Sequence, residues 1–128
     1  MRYELSDDSQ EVTDHKTGLI WRRAVEPGDF TWAEAKAHAK NIARQTSLPW
    51  RVPRRIELET LIDRNRVKHL DSPVINTDFF FERATERFWS SSPYISITGY
   101  AGVVCFDSGN VNYNYCDYTY AVRLVRDG

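Results

Sequence analysis

From Tyr94 to Ala121 the chain reads YISITGYAGVVCFDSGNVNYNYCDYTYA, and this stretch has few ways to fold. Tyr, Val, Ile and Thr favour strands, while Asn, Gly, Asp and Ser supply turns, so hairpins are expected. It holds six of the seven tyrosines and both cysteines, and its only charges are Asp107 and Asp117. Its 28 residues include no Lys, Glu, Gln, Met or Trp, although the preceding 93 contain 19 of these types. Even usage would place about five or six of them here. Every residue type present can be encoded by a codon ending in a pyrimidine, and the five missing types cannot. That set is expected if adenines in Asn-type codons were randomised while the third base stayed fixed. A plain β-meander is the alternative reading, but strands usually carry Lys, Glu or Gln on the wet face, and here that face would be Tyr and Asn. A recognition surface accounts for this better. Tyr offers a large amphipathic contact with few torsions to freeze, and Ser, Asn and Gly add adaptable hydrogen bonding.

The 128 residues form one domain, 1–128, with the special stretch at about 94–121. A formal charge of −1 gives no basic footprint for nucleic acid, and no apolar run is long enough to span a membrane. The amino terminus, MRYELSDDSQ, is polar and unlike a secretory leader. Localisation therefore stays open between a cytoplasmic chain and a surface-exposed one whose leader or partner lies elsewhere. The oligomeric state is open as well. Cys105 and Cys116 are too few for a disulfide framework and lack metal-ligand spacing. They read as free thiols, with one bridge across neighbouring strands as the alternative.

Along the chain, Val12 to Arg23 reads as strand, turn and strand, with Leu19 and Trp21 pointing one way. Thr31 and Glu34 make a capping box for a helix whose apolar stripe is Trp32, Ala35, Ala39, Ile42 and Ala43 and which ends before Pro49. Trp50 to Val52 is extended. Pro53 suits the first position of a second helix with Ile56, Leu58, Leu61 and Ile62 as its apolar positions, fading near Asn65. Arg66 to Arg87 reads as a mostly irregular connection anchored by Phe79, Phe80 and Phe81, and AVRLVR closes the chain as a strand. The expected class is α+β: two helices on a small, mostly antiparallel sheet with long irregular connections. Trp21, Trp50, Trp89, Leu61, Val104 and Phe106 are the expected core. With Val104 and Phe106 inward, strand alternation turns Val103 and Cys105 outward.

Chemistry is sparse. His15, His38 and His69 fall in no nucleophile–base motif; Glu57 and Glu59, two apart on a helix, face different ways, and Glu82/Glu86 fit a solvated helical turn. Asp7, Asp8 and Asp107 lack a calcium-type loop, and no glycine loop would cradle phosphate. Arg51, Arg54 and Arg55 form a local basic cluster whose nearest partners are Glu57 and Glu59. The expectation is a non-catalytic protein with no cofactor and no metal site.

VTDHKTGLIWRR, TWAEAKAHAKNIA, WRVPRRIELETLID, FWSSSPY and AVRLVR resemble, in order, blocks of the bacterial domain family named for the carboxy-terminal domain of a collagen-like adhesin. The likeness runs from about Val12 to Arg126. It implies a C-type-lectin-like fold of the formylglycine-generating-enzyme variety. Many members of this group are variable proteins of diversity-generating retroelements, in which a reverse transcriptase rewrites a carboxy-terminal stretch through adenine-directed mutagenesis. On that resemblance Ala101, Val104, Phe106, Gly109 and Val111 are fixed scaffold. Val103, Cys105, Asp107, Ser108, Asn112, Tyr113, Asn114, Tyr115, Asp117, Tyr118, Thr119 and Tyr120 fall where the family varies. Cys105 and Cys116 do not match the catalytic cysteines of formylglycine-generating enzymes, and the Glu-Pro-Asn calcium motif of sugar-binding lectins is missing.

The expected ligand-binding set is Tyr94, Ile95, Ile97, Tyr100, Val103, Cys105, Asp107, Ser108, Asn112, Tyr113, Asn114, Tyr115, Asp117, Tyr118 and Tyr120. The expected ligand is a protein or other macromolecule and not nucleic acid. An adhesin-type domain binding glycans or sulfated polysaccharide is the second reading.

Overall fold

A computed structural model describes residues 1–128. The order of elements is β1 (Tyr3–Leu5), β2 (Glu11–Asp14), β3 (Leu19–Arg22), α1 (Trp32–Thr46), α2 (Arg55–Glu59), α3 (Arg64–Lys68), β4 (Arg87–Pro93), β5 (Tyr100–Cys105), β6 (Val111–Tyr115) and β7 (Val125–Asp127). The class is α+β, with three helices and two antiparallel sheets of order β1-β2-β3-β7 and β4-β5-β6.

The β2–β3 hairpin pairs Val12 with Trp21. Its turn is closed by the Gly18 N–H donating to the Asp14 carbonyl at 2.8 Å, with Gly18 at φ 79°. A side chain there would resist that left-handed backbone. Leu19 and Trp21 both point into the core. In α1 the Glu34 N–H donates to Thr31 Oγ1 and the Thr31 N–H to Glu34 Oε1, completing the capping box. Ala35 and Ala39 are its buried residues, and their small size lets the helix pack close.

The core lies on both sides of the strands. One cluster gathers Val12, Trp21, Leu58, Leu61, Phe80, Phe88, Val104, Phe106 and Val125 among others. The second holds Ala35, Ala39, Trp50, Val52, Trp89, Ala101, Val103, Val122 and Leu124. Neighbouring residues in sequence go to opposite clusters: Phe88 against Trp89, Val104 against Val103, Val125 against Leu124. All six residues expected in the core are buried.

Several expectations change. The second helix does not start at Pro53 and is only five residues long, Arg55–Glu59. Glu57 turns inward to accept from Arg51 and from the Arg54 N–H, leaving Ile56 about half exposed (51%). Beyond it, Ile62 bridges to Ile75, and Asp63 caps α3 by accepting from the Asn65 and Arg66 N–H groups. Hence the run from Arg66 is partly helical at its start, and β1 is an added strand. Of the three phenylalanines, Phe80 is fully buried and Phe79 partly so, whereas Phe81 is exposed. Finally, Val103 and Cys105 do not face solvent: they are 1% and 8% exposed. β5 is the central strand of its sheet and the second cluster covers its other face, so alternation moves Val103 from one core to the other rather than to water.

Candidate functional site

Pairing of β5 with β6 sets Tyr100 opposite Tyr115, Gly102 opposite Tyr113 and Val104 opposite Val111. These six residues share one face. At the Val104–Val111 end that face joins the core. At the other end it is made of tyrosine. Tyr94 stacks on Tyr113 with centroids 4.5 Å apart and planes 22° from parallel, and Tyr100 meets Tyr115 edge-on at 5.7 Å. From Tyr115 the rings continue through Tyr118 (6.0 Å) and Tyr120 (6.5 Å) to the buried Trp89 (5.0 Å). The string thus wraps round the end of the sheet from one face to the other. Such tilted and offset pairs add to simple burial and hold the rings in a defined array.

The loop between Tyr94 and Tyr100 springs from this array, closed by the Tyr94 N–H donating to the Tyr100 carbonyl at 2.8 Å. It carries Ile95 and Ile97, 98% and 51% exposed. Tyr115 and Tyr118 are exposed beside it, with Asn112 and Asp117 also open to solvent. Tyr94, Tyr100, Tyr113, Asn114 and Tyr120 are half-buried, and the Asn114 amide donates to the Tyr120 hydroxyl at 3.0 Å. Exposed Ile and Tyr grouped in this way form an apolar patch of the kind that marks an interaction site.

Not every expected residue belongs to it. Val103 and Cys105 lie in the interior. Asp107 and Ser108 sit in the turn at the opposite end of β5, separated from Tyr100 by the strand's length, about 17 Å at normal rise. There Asp107 accepts from the Ser72 hydroxyl. Both cysteines are free. Cys116 is adjacent to the Tyr100 end and Cys105 is at the other, beyond the separation a disulfide allows. Burial, followed by the Asp117 charge, raises the Cys116 thiol above its usual value, so it stays protonated near neutral pH.

One site residue comes from outside the tyrosine-rich stretch. Arg55 on α2 donates to the Tyr113 hydroxyl at 3.2 Å, while its Nε lies 3.3 Å from Glu59. It passes across Gly102, where a Cβ would meet the Arg55 Cγ and Cδ at 3.5 Å and Ser90 Oγ at 2.8 Å. A glycine inside a strand often marks such a close approach, and Gly102 was the available signal for Arg55.

A second concavity lies away from the tyrosines, between α1 and the Trp50–Arg54 segment. It is about 590 Å³ and is lined by Lys36, Lys40, Arg51 and Arg54 with one carboxylate, Asp127, around Ala39, Trp50 and Val52. As expected, its arginines are partly engaged: Arg51 binds Glu57 at 2.7 Å and Arg54 lies 3.6 Å from it. Lys36 lies 3.6 Å above the Trp32 ring. The spacing of Lys36 and Lys40, four apart on α1, carries this feature in the sequence. Burial alone would raise the Glu57 carboxyl, but the Arg51 guanidinium and Arg54 amide outweigh it and hold the group below its ordinary value.

No group of three or more His, Cys, Asp or Glu side chains is placed to hold a metal ion, and no helix is long and apolar enough to cross a membrane. The family model of the Lcl C-terminal domain matches residues 10–126. No curated protein matches the chain.

Proposed function

The chain belongs to the Lcl C-terminal domain family, an adhesin-type group, and from that premise we propose that it is a non-catalytic ligand-binding module whose tyrosine array is a diversified contact surface. The carrying observation is that Tyr94, Tyr100, Tyr113, Tyr115 and Tyr118 pack chiefly on one another at one end of the sheet, beside the exposed Ile95 and Ile97. Rings held this way present rigid amphipathic area at low entropic cost. A C-type-lectin-like scaffold with a retroelement-rewritten carboxy-terminal stretch accounts for the missing Lys, Glu, Gln, Met and Trp. The ligand is a protein or other macromolecule.

The variable set is narrower than the resemblance alone implies. Val103 and Cys105 are interior, so only apolar or small residues fit there; the open positions are Asp107, Ser108, Asn112, Tyr115, Asp117, Tyr118 and Thr119, with Tyr113, Asn114 and Tyr120 half-buried beside them. Sequencing the gene tests the reading. Those positions are expected to carry pyrimidine-ending codons, with a near-repeat of the stretch beside a reverse transcriptase gene. Purine endings at several of them would remove the diversification argument.

The basic cleft favours a second reading, an adhesin site for sulfated polysaccharide. It predicts binding that weakens steeply with salt and is lost in Lys36→Ala/Lys40→Ala, whereas tyrosine-array binding is expected to depend little on salt.

A further inference from the structure

Three of the four sheet edges are shielded. β1 is only three residues long and carries the exposed Glu4. The outer edge of β7 is taken by Arg51, whose N–H and C=O both bond to Val125 at 2.9 and 3.0 Å. That of β4 is covered by the Ala121 segment and by Pro53, through Trp89 N to Ala121 O at 3.0 Å and Ser91 N to Pro53 O at 2.8 Å. β6 has no such cover.

Its register shows which groups are free. Cys105 N donates to Asn110 O, and Cys116 N to Gly99 O. Alternation in an antiparallel ladder then puts Asn112 and Asn114 at the positions bonded to β5, and turns the N–H and C=O of Val111 and Tyr113 outward with the Tyr115 N–H. Within the chain only the Tyr115 carbonyl finds a partner, the Tyr118 N–H at 3.0 Å. The strand is VNYNY: no Lys, no Pro, no charge of either sign, none of the devices that keep edges apart.

We infer that β6 pairs antiparallel with β6 of a second copy, about a two-fold axis at Tyr113. This register sets Tyr113 against its own counterpart and Val111 against Tyr115 of the other copy, so the N–H and C=O of Tyr113, the Tyr115 N–H and the Val111 C=O all find partners, while the Val111 N–H faces a Tyr115 carbonyl already engaged by Tyr118. Asn112 falls opposite Asn114, so no like charges meet. The patch is self-complementary, as a two-fold interface requires. With the axis normal to the sheet, the tyrosine faces of both copies lie on the same side of one continuous six-stranded sheet, which doubles the contact surface. Main-chain pairing survives most side-chain changes, so it holds whether or not the strand is diversified.

The test is sedimentation velocity over a concentration series, with hydrogen exchange read at single amides. The intact chain is expected to dimerise, with exchange at Tyr113 and Tyr115 slowing as concentration rises. Tyr113→Pro removes an outward donor and no bond to β5, and is expected to be monomeric with unchanged circular dichroism. Should that variant misfold, Asn112→Lys/Asn114→Lys sets lysines opposite one another and is expected to abolish the dimer, whereas Asn112→Lys/Asn114→Glu sets Lys opposite Glu and restores it. A chain monomeric at every concentration would overturn the inference, as would a dimer indifferent to the lysine pair.

Discussion

In the β1-β2-β3-β7 sheet, polar side chains have fixed partners. Arg2 binds the fully buried Asp14 at 2.9 Å and Arg126 binds Glu11 at 2.7 Å, while Arg51 ties Glu57 at 2.7 Å and Asp127 at 3.0 Å. At the Tyr100–Tyr115 end of the β4-β5-β6 sheet, the strands carry no charge and rings meet rings. A salt bridge is directional, and removing one member strands the other. Ring contacts are less particular, and the exposed ones return to water when cut back. The first region therefore specifies the fold, and the second can change its surface without changing the fold.

The largest losses should come from emptying sites in the buried core. Trp89→Ala empties a fully buried site that also donates to Phe30 O, and should cost about 3–5 kcal/mol in urea melts. Leu61→Ala, also buried, should cost about 2–5 kcal/mol. A loss below about half a kilocalorie would show that Leu61 is not the core residue described.

Val103→Asn sharpens the contrast from within the tyrosine-rich stretch. It buries an amide without a partner and should destabilise by about 1–3 kcal/mol, whereas Asn112→Val at an exposed position should stay within about 0.5 kcal/mol of the parent. Equal effects at 103 and 112 would erase the division between interior and surface positions.

Acid should loosen the first region before the second. Asp14 and Glu57 are both held below their ordinary values: burial pushes each up, but the hydrogen bonds from Arg2 to Asp14 and from Arg51 to Glu57 lead the groups that outweigh it. A carboxylate depressed in the folded state stabilises above its unfolded value, near 4. That stabilisation is lost as pH falls through the folded value. Melting temperature should therefore fall below about pH 4, and Glu57→Gln should flatten the slope while costing about 1–3 kcal/mol at neutral pH.

The smallest effect is expected at Tyr115→Ser and Tyr118→Ser, each within about 0.5 kcal/mol of the parent because both rings are exposed. Tyr113→Ser should cost more, since it loses both the Arg55 bond and the Tyr94 stack. A triple variant that unfolds would mean the array is part of the core.

Local signals made α1 and the β2–β3 hairpin legible. Thr31 and Glu34 cap within one turn, and Leu19 and Trp21 alternate within one strand. Alternation in β5 also announced that Val103 and Val104 oppose each other, but not that both sides are covered. The second cover comes from Trp50, Val52, Val122 and Leu124, remote in sequence from β5 or reached only after the chain turns back. The short α2 was hidden for a similar reason: Ile56 fits a helical stripe, yet the inward pull on Glu57 comes from Arg51, outside the helix. The tyrosines were visible by composition, while Arg55 reaches them from 58 residues away.

The ring string from Tyr115 through Tyr118 and Tyr120 to Trp89 also has an optical consequence. Light absorbed by a tyrosine in this array passes to the indole 5.0 Å from Tyr120 before it is re-emitted. The folded chain, despite its seven tyrosines, should therefore glow almost entirely as tryptophan. Because that transfer reaches well beyond ring contact, tyrosine emission should return only when the chain unfolds, so the domain carries its own label-free reporter of the folded state.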